Sequence, residues 1–102
     1  MININDKSYE FKYSLRACFV WEEITGRPFE VKTLMDTYIL AYACIVANPD
    51  NPSLEFSDFV DYCDIYPEVM DEFNNYLNEE MKRREVLSAG KKKVTRKGRN
   101  SQ

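Results

Sequence analysis

Two sets of carboxylates have spacings that could be those of a metal-binding or catalytic site. Asp58, Asp61 and Asp64 recur at three-residue steps, which would place them along one side of a helix. Hard cations bind roughly six to eight oxygens that converge from a loop, so we interpret this row as a solvent-exposed helix face. Glu22 and Glu23 are adjacent, and a helix points neighbours about 100° apart. They cannot share a proton as paired catalytic carboxylates do, and we interpret them as a solvated edge.

The other residue types used in catalysis are scarce. The 102-residue chain has no histidine, the commonest general base and zinc ligand, and its three glycines are too scattered for a phosphate-binding loop. Cys18, Cys44 and Cys63 lie far apart in apolar helical patterns, which predicts buried reduced thiols rather than a metal or redox site. We therefore predict that the protein is not an enzyme and that it uses no cofactor and no metal.

The charge of the chain is unevenly distributed. Residues 1–87 contain 8 Lys and Arg against 17 Asp and Glu, whereas residues 88–102 contain six basic residues and no acid. Those six are Lys91, Lys92, Lys93, Arg96, Lys97 and Arg99. With so few apolar residues this tail cannot offset the entropy lost on ordering, so we predict disorder over 88–102 after a single folded domain, 1–87. The basic tail fits nonspecific nucleic-acid binding, and it fits equally a solvated end that approaches the acidic body.

No membrane-spanning segment is predicted. The longest nearly unbroken apolar run, Tyr38 to Ala47, is about half of the roughly 20 residues that a transmembrane helix needs. The first residues have neither the basic opening nor the apolar stretch of a signal peptide. These features predict a soluble protein of the cytoplasm that does not bind a membrane.

Residue patterning predicts an α+β fold that is mainly helical. Apolar and polar residues alternate over 2–13, as in half-buried strands, and Asp6-Lys7 would form the turn of a hairpin. Apolar residues then recur at helical spacing in four segments, near 14–25, 33–48, 56–64 and 67–87. Because a lone hairpin is marginally stable in water, we expect it to pack on the four helices.

Capping residues mark the ends of the first two helices. Ser14 is a favoured N-cap, Gly26 suits the left-handed residue that follows a helix, and Pro28 prevents continuation. Thr33 and Asp36 have the spacing of a capping box at the start of the second helix. This second helix is apolar on nearly every side, which predicts a central position in the core.

The first helix is apolar on two sides. One side holds Ala17, Val20, Trp21 and Ile24, and the other holds Leu15, Cys18 and Phe19. One side can pack on the second helix, but the other must be covered by the hairpin or by a partner molecule. The predicted partner-binding residues, on this helix and the hairpin, are Tyr9, Phe11, Leu15, Phe19 and Trp21. A client protein or a second copy of the chain, as in a homo-oligomer, would bury them.

Two segments of the sequence resemble those of a known protein family. SLRACFVWEEITGRPFE, from residue 14, and NPSLEFSDFVDYCD, from residue 51, follow the strand pair and flank the apolar helix. They resemble the tail assembly chaperone family of long-tailed, siphovirus-like bacteriophages and prophages, through Tyr9, Phe11, Ala17, Glu22 to Phe29 and Phe56 to Asp61. The resemblance spans roughly residues 8–80. It implies a noncatalytic protein that binds the tape-measure protein, keeps it soluble and helps recruit tail-tube subunits in the cytoplasm of the bacterial host.

Other classes of function remain open at this point. A small helical adaptor for protein interactions would share the predicted fold and its apolar surface. A nucleic-acid-binding accessory protein would use the basic tail, and its binding would fall steeply with salt and vanish on deletion of residues 88–102. A small enzyme or cofactor carrier would instead need a deep polar pocket.

Overall fold

The amino-terminal hairpin is the only sheet in the described part of the chain. The computed structural model describes the backbone of residues 2–95 and the side chains of residues 2–84. Strand β1 (Ile2–Ile4) pairs antiparallel with β2 (Lys7–Tyr9), and four helices follow: α1 (Leu15–Thr25), α2 (Leu34–Val46), α3 (Phe56–Ile65) and α4 (Glu68–Thr95). This order confirms the predicted α+β fold, mainly helical, with a hairpin packed on four helices.

The hairpin turn lies one residue earlier than predicted. Asn5 and Asp6, rather than Asp6 and Lys7, connect the strands, because Ile4 pairs directly with Lys7. Asn5 and Asp6 have φ of 52° and 65°, the left-handed backbone that a two-residue type I′ turn requires and that Asn and Asp tolerate. The resulting register directs the side chains of Ile4 and Tyr9 into the core.

The chain leaves the sheet after β2, although its alternating pattern predicted a strand as far as residue 13. The segment is held instead by groups near the end of α2. The Asn48 and Asn51 side-chain amides both donate to the Glu10 carbonyl, at 3.2 and 2.8 Å, and the Lys12 amide donates to the Cys44 carbonyl at 3.0 Å. The Asn48–Asn51 turn, predicted only as a break between helices, therefore fastens this segment to α2.

Helices α1 and α2 begin and end within two residues of the prediction. The Ser14 hydroxyl accepts from the Ala17 amide, and Gly26 ends α1 with φ 70°. Thr33 and Asp36 form the predicted capping box, in which each side chain accepts from the other residue's backbone amide, at 3.1 and 3.2 Å. Helix α2 is central, as predicted, since most of its side chains are buried and it contacts each of the other helices.

Helix α4 is longer than predicted. Its backbone continues to Thr95, whereas the predicted end was near residue 87. Lys91, Lys92 and Lys93 suit this extension, because lysine is a good helix former. The helix thus enters the segment predicted to be disordered, and the rest of that segment, 96–102, lies outside the described residues.

The core lies between the hairpin and the four helices. Its largest fully buried apolar side chains are Trp21, Phe59, Phe73, Ile4 and Ile45. Phe11, in the segment after β2, packs on Phe73 of α4 with ring centroids 4.9 Å apart. Such aromatic packing suits a chain of this length, since small domains bury a smaller fraction of their surface. None of the described helices combines the length and the apolar character that crossing a membrane requires.

Candidate functional site: the outer face of the first helix

Helix α1 has two opposite faces. Its inner face includes Ala17 and Trp21, both fully buried. Its outer face holds Leu15 and Phe19, which are 69% and 55% exposed. At about 100° per residue, Phe19 lies opposite the midpoint between Ala17 and Trp21, so it points directly away from the core.

Trp21 anchors the inner face. Its indole Nε1 donates to the Asp36 carbonyl at 3.0 Å, which satisfies the only polar atom of the buried ring. Phe29 packs edge-on against the ring with centroids 5.2 Å apart, and the Arg27 guanidinium lies 5.2 Å from the ring centroid. Trp21 therefore ties α1 to the start of α2 and to the segment that connects the two helices.

The Asp36 carboxylate holds the same connection together. Its side chain is 2% exposed and accepts from the Arg27 guanidinium at 2.7 Å and from the Lys32 and Thr33 amides at 3.0 and 3.2 Å. The hydrogen bond from Arg27, followed by those from the backbone, lowers the pKa of Asp36 from 3.8 to about 2. Asp36 therefore stays ionised at neutral pH and acts as a structural anion.

The segment from Gly26 to Phe29 reverses the chain between α1 and α2. Gly26 adopts the left-handed conformation, and its amide donates to the Glu22 carbonyl at 2.8 Å. The Glu22 carboxylate accepts from the Phe29 amide at 2.7 Å. Glu22 is exposed, as predicted for a solvated edge, and its side chain also holds the turn. Several residues on which the family resemblance depends thus have a structural role in this chain.

A shallow groove lies beside the outer face of α1. Five apolar residues, Leu15, Phe19, Val20, Val46 and Ala47, line it together with the charged residues Arg16, Glu22 and Glu23. We call the five apolar residues the α1 outer surface. Arg16 and Glu23 are exposed, and neither forms an ion pair within residues 2–84. The surface therefore combines exposed apolar side chains with unpaired charges at its edge.

Two of the five predicted partner-binding residues, Leu15 and Phe19, lie on this surface. Tyr9 and Trp21 are buried in the core instead, and the Tyr9 hydroxyl donates to the Ser53 carbonyl at 3.1 Å. Phe11 is half-buried against aromatic rings of α4. The hairpin register turns Tyr9 inward and the hydrogen bond of Trp21 holds its ring in the core, so in this fold these two side chains are covered by the chain itself, whereas Phe11 remains partly accessible.

The predicted basic residues of the tail fall in two groups. Helix α4 includes the backbone of Lys91, Lys92 and Lys93. The described residues do not include Arg96, Lys97 and Arg99. Arg84 is the last residue with a described side chain. It donates to the Tyr13 carbonyl at 3.1 Å and lies over the Tyr13 ring at 5.1 Å. This contact joins α4 to the segment that precedes α1.

Two further exposed apolar pairs were not predicted. Leu34 and Met35 lie in the first turn of α2, and Ile65 and Tyr66 lie at the end of α3. Each of these pairs consists of two consecutive residues at a helix end, whereas Leu15 and Phe19 lie four residues apart on one face of α1, beside a groove. The α1 outer surface is therefore the strongest candidate for a binding surface among residues 2–84.

The described thiols and carboxylates do not form a second site. Cys18, Cys44 and Cys63 are free thiols; Cys44 and Cys63 are buried, as predicted, whereas Cys18 is only partly buried. Burial raises the pKa of Cys44 to about 12 and that of Cys63 to about 11. These two thiols therefore stay protonated and unreactive at neutral pH. The three aspartates of α3 are exposed, and no group of three or more Cys, Asp or Glu residues within 2–84 is placed to hold a metal ion.

The chain matches no protein-family model, no curated protein and no solved structure. Its function is therefore inferred from the α1 outer surface, where the exposed side chains of Leu15 and Phe19 lie beside a groove.

Proposed function

We propose that the chain is a noncatalytic tail assembly chaperone that binds the tape-measure protein through the α1 outer surface and helps recruit tail-tube subunits in the cytoplasm of the bacterial host. The observation that supports this proposal most is the exposure of Leu15 and Phe19 on a helix whose opposite face is fully anchored. The resemblance of residues 8–80 to the chaperone family supports the identity of the client.

The demands of folding do not explain why Leu15 and Phe19 are apolar. Fully burying a Leu or Phe side chain stabilises a protein by about 1.5–3 kcal/mol, and these two side chains obtain little of that while they are exposed. Apolar side chains four residues apart on a helix form a stripe that fits the apolar side of a second helix. A helical segment of a client would cover both residues and gain the burial that the fold leaves unused.

The charge of the folded body suits a protein that keeps a client soluble. Residues 1–87 have 17 acidic against 8 basic residues, and like net charge keeps copies of a protein apart at long range. Arg16, Glu22 and Glu23 border the apolar residues and restrict the orientation in which a client can bind. An apolar binding surface on an acidic body is therefore compatible with solubility.

Co-expression with the tape-measure protein encoded in the same genome tests the proposal. We expect the chain to raise the soluble fraction of the tape-measure protein and to co-purify with it. Leu15→Asp should abolish both effects, whereas Ile65→Asp should retain them, since Leu15 and Ile65 are equally exposed at 69%. Equal loss in the two variants, or no co-purification of the native chain, would contradict the proposal.

The basic end of the chain favours a second candidate, a nucleic-acid-binding accessory protein. Six basic residues and no acid lie within residues 88–102. Binding through them would weaken steeply between about 50 and 200 mM salt, because it depends on the release of counterions from phosphates. Anisotropy of a labelled duplex, measured with the full chain and with a truncation after residue 87, separates the two candidates. Duplex binding that is lost on truncation would favour the second candidate, and client binding that survives truncation would favour the first.

A further inference from the structure

Charges of opposite sign flank the two ends of the α1 outer surface. Arg16 lies beside the apolar residues towards the N-terminal end of α1, and Glu23 lies on the same side towards its C-terminal end. Phe19 lies between them at the centre of the outer face. Both charged side chains are exposed and form no ion pair within residues 2–84, so each is available to a second molecule.

This arrangement is complementary to itself. When two identical helices pack antiparallel about a two-fold axis, positions before the centre of one helix lie opposite positions after the centre of the other. With Phe19 at the centre, Arg16 of each copy lies opposite Glu23 of the other copy. A parallel arrangement would instead bring the acids of the two copies, Glu22 and Glu23, to the same level, where like charges repel.

We propose that, in the absence of a client, two copies of the chain pair through the α1 outer surface as an antiparallel, two-fold symmetric dimer. The dimer covers Leu15 and Phe19 of both copies, and two contacts between Arg16 and Glu23 set its direction. A client helix displaces the second copy and takes its place. This inference rests on the proposed function only in treating the α1 outer surface as a binding surface. Self-association is measured without a client, so the two proposals can fail separately.

The dimer is weak. A single pair of helices buries less than the roughly 1,200–2,000 Å² that is typical of stable interfaces. The acidic excess of residues 1–87 also opposes the approach of a second copy. We therefore expect association only at micromolar concentrations and above, and we expect it to be reversible, which leaves the surface accessible to a client that buries more area.

Reciprocal charge reversal tests this proposal. Arg16→Glu and Glu23→Arg each replace two attractive contacts with two repulsive ones, so each variant alone should associate about tenfold more weakly than the native chain in sedimentation velocity. An equimolar mixture of the two variants should recover association close to the native level, because each contact in the mixed dimer joins opposite charges. Both substitutions are at exposed positions, and circular dichroism should show unchanged melting.

Apolar substitutions provide a second measurement on the same surface. Phe19→Asp should abolish association, whereas Ile65→Asp should leave it at the native level. A native chain that stays monomeric at high micromolar concentration would overturn the proposal. So would a mixture of the charge-reversed variants that remains as dissociated as each variant alone, or an equal loss in Ile65→Asp.

Discussion

The two faces of α1 differ in how completely their side chains are buried and held by contacts within the chain. On the inner face, the Trp21 ring is fully buried, its N–H is hydrogen-bonded, and Arg27 and Phe29 lie against it. On the outer face, Leu15 and Phe19 are more than half exposed. Both faces belong to one helix of 11 residues, so local conformation does not explain the difference. The inner face stabilises the fold, and under the proposed function the outer face binds another molecule.

This separation has a thermodynamic consequence. Substitutions on the inner face should change the free energy of unfolding, whereas substitutions on the outer face should change binding alone. Surface substitutions away from caps, cavities and buried polar groups usually change stability by less than about 0.5 kcal/mol. Variants of the two faces therefore test whether α1 has the two roles that its geometry indicates.

Trp21→Ala should have the largest effect. The substitution leaves a cavity beside Phe29 and removes the donor to the Asp36 carbonyl, so we expect a loss of about 3–5 kcal/mol in the free energy of unfolding. Urea denaturation followed by circular dichroism measures this loss. Trp21→Phe, which keeps much of the volume but not the N–H, should be intermediate. A loss below about 1 kcal/mol for Trp21→Ala would show that the inner face does not anchor the fold.

Asp36→Asn should cause the second largest loss of stability at neutral pH, since it removes the charge that pairs with Arg27. The pKa of Asp36 is about 2 in the folded chain, below its ordinary value of 3.8. Its carboxylate therefore stabilises the fold fully above about pH 4, and this contribution is lost as the pH falls towards 2. The difference in melting temperature between the native chain and the variant should shrink over this range. A difference that stays constant would show that the charge is not its cause.

Gly26→Ala should have a smaller effect. Gly26 has φ 70°, and a Cβ added there would meet no atom within 4 Å beyond its two neighbours in the chain, so the cost arises from the backbone conformation. We expect a loss of about 1 kcal/mol in the free energy of unfolding, measured by thermal denaturation. Gly26→Asn is the matched control, because Asn tolerates this conformation better and should cost less. Equal stability of the Ala and native chains would contradict the structural role of the turn.

Phe19→Ala should have the smallest effect on stability. Phe19 points away from the core, and alanine is a good helix former, so the free energy of unfolding should stay within about 0.5 kcal/mol of the native value. Capture of the tape-measure protein should nevertheless fall. If chemical denaturation shows a loss above about 1 kcal/mol, Phe19 contributes to the core and the comparison of the two faces fails.

The positions of the helices follow from local patterns in the sequence. Ser14, Gly26 and the Thr33–Asp36 capping box each act within about one helical turn, so residue type and spacing are enough to predict them. The hairpin was harder to predict, because the alternation over residues 9–13 also fits an extended segment held by asparagine side chains rather than by a strand. These two hydrogen bonds join residues that are separated by 38 and 41 positions in the sequence, and no local pattern indicates such contacts.

Prediction of the candidate site from the sequence has the same limit. Trp21 and Phe19 are both large and apolar, and their spacing on α1 does not say which of them points inward. The connection between Arg27 and Asp36 and the position of α2 decide this, and both are features of the tertiary structure. The helical wheel could have placed Phe19 opposite Trp21 and Ala17, but it could not have excluded the hairpin as the cover for that side.

Photo-crosslinking from position 19 tests most directly whether the α1 outer surface binds the client. Either Phe19 or Ile65 is replaced by p-benzoylphenylalanine, and the chain is co-expressed with the tape-measure protein from the same genome and irradiated. We predict an adduct of the chain with the tape-measure protein from position 19 and none from position 65. An adduct from position 65 alone, or none from position 19 in a complex that still co-purifies, would contradict the account.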